Sequence, residues 1–239
     1  MSLTYQTYVE QLANFFPIAS SDPNFQTFLP GCIDYAEQRI YRELDLLATR
    51  ITVIYASGCS TSSRTISLST TSTSYVNVVE ELNILTPSGA ISSATRNPVR
   101  FVTRQFIDSV YPSAVNGNAT PQYAAMLTDT SVLLGPPPDL PYSFEVLGTN
   151  RPTELSSTNT STWLTENLPD LFMAASMIWA SGYMKDFGAQ ADTPGQSQSW
   201  EQQYKALFVS ANMEEARKMY RSQGWTSAQP SQIPTPPRV

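Results

Sequence analysis

The chain has 239 residues, of which 41% are hydrophobic and only 14% charged; its net charge is −6 and it contains no histidine. That length is enough for a sizeable core in one large domain or two small ones. The acidic balance excludes a sequence-independent grip on nucleic-acid phosphates, which needs a basic surface, and the missing histidine excludes Ser-His-Asp triads, His-based acid–base catalysis and most zinc sites.

In chain order, Tyr5, Tyr8, Val9, Leu12, Phe15 and Phe16 recur at helical spacing and predict a first helix over residues 4–16, stopped by Pro17. Asp22 and Pro23 supply an N-cap and a first-turn proline for a second helix. Its apolar positions Phe25, Phe28, Leu29, Cys32, Ile33, Ala36, Ile40 and Leu44 carry it to about Leu47, and Pro30 inside the run predicts a kink or restart. Asp34, Glu37, Arg39, Arg42, Glu43 and Asp45 mix signs on what reads as the opposite face. They suit a solvated face with i,i+4 ion pairs. In an assembly, Glu37, Arg39, Arg42 and Glu43 would be the candidates for an intersubunit salt-bridge face.

From Arg50 the period changes to that of short strands: Ile51–Tyr55, residues 65–69, Tyr75–Val79, Asn83–Leu85 and Val99–Val102, with residues 57–74 nearly all small and polar. A short helix from Arg104 to Val110 follows the cap-like Thr103. Strands resume at Gln122–Leu127, Ser131–Leu134 and Tyr142–Leu147, the last two joined by the rigid run Pro136, Pro137, Pro138, Asp139. Helices return after a Ser/Thr/Asn linker at 156–162. Pro169 and Asp170 open a helix in which Leu171, Phe172, Ala175, Ile178, Trp179 and Tyr183 cover much of the circumference, as in a central buried helix running to Lys185 and Asp186. The last helix carries Trp200, Tyr204, Leu207, Phe208 and Ala211 on one face and ends near Arg221, with Glu201/Lys205 and Glu214/Lys218 as i,i+4 pairs.

The fold class that follows is α+β: a helical bundle built from both chain ends (residues 1–49 and 156–221), an inserted antiparallel β-rich region with one short helix (50–155), and an extended proline-rich arm (222–239). In that arm Pro230, Pro234, Pro236 and Pro237 remove backbone donors and exclude helix or central-strand structure. Alone it buries too little to offset its ordering entropy, so it reads as a docking arm that an assembly holds. Extended, residues 224–239 span at most about 50 Å, at roughly 3.1 Å per residue.

Little in the chain suggests catalysis. No phosphate-binding glycine loop or calcium-loop pattern is present, and no cofactor is implied. Cys32 lies in an apolar helical register and Cys59 in a Ser/Thr loop, so both read as free thiols rather than a disulfide. An enzyme would have to rely on paired carboxylates, with adjacent Glu80 and Glu81, or Glu37 with Glu166, as the pairs to consider. No run of 18 apolar residues is present to span a membrane. The amino-terminal residues lack a basic and an apolar leader region, so synthesis and assembly in the cytoplasm are expected.

The stretch from Phe28 to Asp45, Phe-Leu-Pro-Gly-Cys-Ile-Asp-Tyr-Ala-Glu-Gln-Arg-Ile-Tyr-Arg-Glu-Leu-Asp, resembles the helix of tailed-phage head-to-tail adaptor proteins. Residues 95–108 with Tyr111 and Pro112 resemble that family's mid-chain helix, and residues 121–124 and 132–139 its paired strands and following turn. Residues 164–171, 183–186 and 200–204 resemble its closing helices, so the likeness runs from about residue 3 to 210. The resemblance implies a virion protein of a short-tailed phage, assembled in the host cytoplasm as a ring typically of twelve copies beneath the portal. Such a ring extends the DNA channel and is a platform for the tail nozzle or hub; its partners are its own copies, the portal and the nozzle, and double-stranded DNA passes through without specific binding. It also implies that the C-terminal segment reaches the portal, with Trp225, Pro230, Ile233, Pro234, Pro236, Arg238 and Val239 as the docking residues. Two other classes fit parts of the chain: a β-rich virion decoration or tail-fibre module, and a cell-wall glycosidase using paired carboxylates.

Overall fold

A computed structural model describes residues 3–16, 18–56, 59–61, 63–68, 75–87, 92–113, 116–181 and 195–222, apart from the side chains at 195–198 and 220–222. In chain order its elements are α1 (Tyr5–Phe15), α2 (Pro23–Glu43), a 3-10 turn (Leu47–Thr49), β1 (Arg50–Tyr55), β2 (Thr65–Ser67), β3 (Val78–Thr86), β4 (Thr95–Phe101) and α3 (Arg104–Val110). They continue with β5 (Tyr123–Thr128), β6 (Ser131–Gly135), β7 (Ser143–Thr149), α4 (Trp163–Asn167), α5 (Pro169–Ala180) and α6 (Gly195–Ser222). Ala48–Thr153 forms one compact unit, and the segments through Leu47 and from Glu154 form the other.

The helical unit starts with well-capped helices. Thr4 and Thr7 close a capping box at α1, the Thr4 hydroxyl accepting Thr7 N–H and the Thr7 hydroxyl accepting Thr4 N–H. The Asp22 carboxylate accepts the N–H groups of Asn24 and Phe25 at 2.9 and 3.0 Å, and Pro23 sits in the first turn of α2. α2 does not restart at Pro30: one helix runs through it. Pro30 lies on the exposed side, where water can serve the carbonyl that loses its donor, while the neighbouring Leu29, Cys32 and Ile33 are buried and hold the axis in place. The helix stops at Glu43 rather than Leu47, because Leu44 turns extended. Before the helix expected to open at Pro169 and Asp170, a separate short helix, α4, stands first, its start held by a Thr162/Thr165 capping box.

One hydrophobic cluster joins Tyr8 and Leu12 of α1, Phe25, Leu29, Ile33, Ala36 and Ile40 of α2, Leu164 of α4, Leu171, Phe172 and Ala175 of α5, and Tyr204 and Ala211 of α6. The Tyr8 and Phe172 rings meet at 5.3 Å between centroids. α5 is buried around most of its circumference, and its small residues Ala174, Ala175, Ser176 and Ala180 let neighbouring helices approach closely.

The other unit is a seven-stranded sheet in the order β1-β7-β3-β4-β5-β6-β2. It curls so that Ile66, Leu82, Ile84, Val99, Ala124, Val132, Leu134, Phe144 and Val146 share one core. Two expectations need correction. The region is not purely antiparallel, because β4 pairs with β5 in parallel at Arg100↔Tyr123 and Phe101↔Ala124; the α3 crossover between these strands makes a parallel pairing reachable. Tyr75–Val79 and Asn83–Leu85 are not separate strands either, since β3 runs unbroken from Val78 to Thr86. A bulge between Val79 and Glu81 absorbs the polar Glu80 within the ladder, which is why the alternation seemed to break there. α3 lies on the other side of β5 and β6, its Ile107 buried with Ala125 and Leu133.

The interior strand β7 is buried on both faces and imposes a demand on each. On one, Glu145 is buried and takes two bonds from Arg96, at 2.7 and 2.9 Å, reaching over β3. At Gly148 the β3 backbone comes so close that an added Cβ would lie 2.1 Å from the Val78 carbonyl oxygen and 2.5 Å from Val76 Cγ1. Gly148→Ala is therefore expected to destabilise the sheet unit by about 1–3 kcal/mol or more, seen as a lower urea midpoint. Gly117, with φ of 76° and nothing within 4 Å of an added Cβ, is the control: Gly117→Asn should cost no more than about 1 kcal/mol.

Candidate functional site

The charged side of α2 is organised around Arg39. Its guanidinium donates two parallel bonds to Glu201 of α6, Nη1 to Oε2 at 2.8 Å and Nη2 to Oε1 at 2.7 Å. Nε donates to Glu43 Oε1 at 3.1 Å and Nη1 also to the Tyr35 hydroxyl at 3.2 Å. The guanidinium carbon stands 4.2 Å from the centroid of the Tyr204 ring, and the Tyr204 hydroxyl donates to Glu43 Oε2 at 2.7 Å. Tyr35 stacks on Trp179, with centroids 5.1 Å apart, and Trp179 is half exposed. Tyr35, Arg39, Arg42, Glu43 and Glu201 line a shallow cleft of about 470 Å³. Two guanidinium groups face two carboxylates there, so the cleft is a balanced clamp between helices rather than an anion site.

The electrostatics agree with that reading. The Arg39 guanidinium holds the Glu201 carboxyl below its ordinary value, against the opposing effect of burial, and Glu201 raises Arg39 in return. The bidentate partner of Arg39 was not visible in the sequence. Glu201 reads as an i,i+4 mate of Lys205, and that contact exists at 3.5 Å, but no spacing rule links residues 162 positions apart.

The four residues read as an intersubunit face take different places. Arg39 is engaged within its own chain, Glu43 is shared between Arg39 and Tyr204, and Arg42 is exposed with Nε donating to the Gln38 carbonyl. Glu37 is not on a solvated face at all: it is 3% exposed and accepts the Leu155 N–H at 3.0 Å. A signal for this lay in the spacing, since Glu37 falls four residues after Ile33 and three before Ile40, on the core-facing stripe. Burial, opposed by the Leu155 N–H, pushes the Glu37 carboxyl up to about 7.

A raised carboxyl suits a general acid, but no substrate reaches one enclosed in a helical core. Glu166, its suggested mate, is exposed on α4. Glu80 and Glu81 are both exposed beside the β3 bulge, with Glu80 3.9 Å from Arg50. Cys32 and Cys59 are free and buried, and burial pushes the Cys32 thiol up to about 12. Among the described residues no group of three or more His, Cys, Asp or Glu is placed to hold a metal, and no helix is long and apolar enough to cross a membrane. Trp225, Pro230, Ile233, Pro234, Pro236, Arg238 and Val239 lie outside the described residues, as does the expected end of the central helix at Lys185 and Asp186.

Comparison with protein families gives a match over residues 3–229 to the family described as SU10 adaptor protein. No curated protein matches the chain.

The Arg39 clamp makes a measurable prediction. Arg39→Lys keeps the charge but loses the two-pronged geometry and the ring contact, and should cost about 1–2 kcal/mol in chemical denaturation. Arg39→Met takes the guanidinium from Glu201 and Glu43, leaving them only Lys205 and the Tyr204 hydroxyl, and should cost about 2–3 kcal/mol. The pH dependence has a fixed sign. Because the folded-state value of Glu201 lies below the ordinary 4.5, its stabilising share is full above that range and is lost as pH falls through the folded value. The gap between wild type and Arg39→Met should therefore narrow below about pH 4.

Proposed function

The chain belongs to the SU10 adaptor protein family, a family of phage structural adaptors and virion components, and from that premise we propose that it is a head-to-tail adaptor. In this reading it assembles as a ring of twelve copies below the portal, lengthens the DNA channel and carries the tail nozzle or hub. The observation that carries the proposal is the family match across nearly the whole chain. The surface chemistry supports it: polar but sparsely charged, with its best-defined charges consumed in clamps, the chain suits extensive protein contacts.

The parts take the following roles. Residues 1–49 and 156–221 are the helical bundle drawn from both chain ends, 50–155 the β-rich insertion, and 222–239 the extended arm. Trp225 and Ile233 anchor that arm on the portal by apolar contact. Pro230, Pro234 and Pro236 lower its ordering cost, and Arg238 beside the terminal Val239 meets an acidic pocket. Arg42 and Glu43, with Arg39 and Glu37 bracing the helix behind them, form the intersubunit side of α2. Each copy adds a net charge of −6 to the ring, which discourages adhesion of DNA to the channel during ejection.

Native mass measurement tests the ring: the expected particle is twelve times the 26.4 kDa chain, and a monomer at all concentrations, with and without portal, would refute it. Deletion of residues 224–239 tests the arm. Capture of the truncated protein by portal should fall at least tenfold, and undiminished capture would exclude the arm as the tether.

A further inference from the structure

Three carboxylates are buried among the described residues: Glu37, Glu145 and Glu215. Arg96 answers Glu145 within the sheet. The other two stand where the chain leaves the helical unit and where it returns. The Leu47 N–H, at the end of the first helical segment, donates to Glu215 Oε2 at 3.2 Å. The Leu155 N–H, at the start of the second, donates to Glu37 Oε1 at 3.0 Å. The arrangement is reciprocal. Glu215 comes from the second segment and holds the end of the first, while Glu37 comes from the first and holds the start of the second. Leu47 opens the 3-10 turn and Leu155 lies outside any helix, so each N–H needs an acceptor from elsewhere, and a carboxylate is a strong one.

The two latches differ in counter-charge. Lys218 Nζ lies 2.7 Å from Glu215 Oε1, and Lys218 is also 3.0 Å from Glu214 and 5.3 Å from the centre of the Trp163 ring. The groups that act on Glu37, or that it acts on, are Tyr8 from α1, Asp34 and Tyr41 from α2, and Glu154 from the returning segment. Cys32 of α2 and Ser176 of α5 lie beside Tyr8. None of these is a cation. Among the described residues the buried Tyr41 hydroxyl has no hydrogen-bond partner, and the buried Tyr8 hydroxyl has Ser176 beside it. One N–H does not replace the hydration of an ionised carboxylate in such surroundings. A neutral carboxylic acid keeps its carbonyl oxygen for Leu155 and needs no counter-charge.

We propose that Glu37 is a proton-operated latch on the returning chain, holding Leu155 to α2 when protonated and loosening when ionised, while the Glu215 latch on Leu47 is charge-balanced by Lys218. The direction follows from linkage. The folded-state value of about 7 lies above the ordinary 4.5. The latch therefore contributes fully below the ordinary value and is lost as pH rises through the folded one. This device does not depend on the adaptor reading and holds for the chain in any assembly.

Hydrogen–deuterium exchange on the full chain tests it, with rates corrected for intrinsic pH dependence and read on the peptides containing Leu155 and Leu47. Opening at Leu155 should increase by up to about tenfold per pH unit between about pH 5 and 7 and level off above. Leu47 should not follow. Glu37→Gln keeps an acceptor oxygen but no charge, and should stay protected across the range. Glu154→Gln, an exposed change that removes one neighbouring carboxylate, should move the wild-type midpoint toward acid. A pH-independent Leu155 peptide in the wild type overturns the proposal, which leaves it testable should Glu37→Gln not fold. So does a pH dependence that persists in Glu37→Gln, one shared equally by Leu47, or a midpoint that Glu154→Gln leaves in place.

Discussion

The helical unit depends on one contact set: the apolar cluster in which Leu12, Leu29, Ile33 and Ile40 of the first segment meet Leu164, Leu171 and Phe172 of the second. Neither segment can bury its stripe alone. Each large side chain placed in that cluster contributes about 1.5–3 kcal/mol by leaving water, so the unit forms only when the two stretches, separated by a whole sheet unit, come together. Everything else in this part of the molecule follows from that need. α5 is rich in Ala and Ser because helices must close on it from more than one side. The Arg39 clamp fastens α6 to α2 at the margin of the cluster, where a paired charge stays partly hydrated and costs less than one at the centre.

A core built from two distant segments also forces the chain to cross its boundary twice. At those crossings the Leu47 and Leu155 amides take acceptors from distant side chains. Two of the three buried carboxylates meet that need. In the sheet unit the strands pair with one another, and the buried carboxylate Glu145 is answered by Arg96. Its constraint is spacing: β7 lies between β1 and β3, and Gly148 is where no side chain fits.

These arrangements suit a structural part of a virion better than a catalyst. The strongest charges are spent on holding helices together, and Glu37, whose carboxyl is raised toward neutrality, is enclosed. The chain as a whole is rich in neutral polar residues, and Trp179, Val209 and Met213 are among its exposed apolar side chains. A surface of such residues meets other proteins without a large desolvation cost.

Much of this was determined by the sequence alone, wherever the cause is local. The α2 cap at Asp22 and Pro23, the Thr103 cap of α3, the strands at β1, β5, β6 and β7, and the small-residue character of α5 follow from residues within one or two turns or one strand. The motif from Phe28 to Asp45, together with the order and spacing of the later segments, carried the family likeness. Only tertiary structure decided the rest. The exposed setting of Pro30 let α2 run on, because burial on the far side of the helix outweighed one lost hydrogen bond. Pairing with β4 and β7 drew Glu80 into a single long β3 by way of a bulge. The same charged residue types acquired opposite roles: Arg39 found Glu201, while Glu37 two positions earlier was drawn into the core. Local sequence sets which backbone shape is favoured, but which charges become buried, and against what, depends on partners more than a hundred residues away.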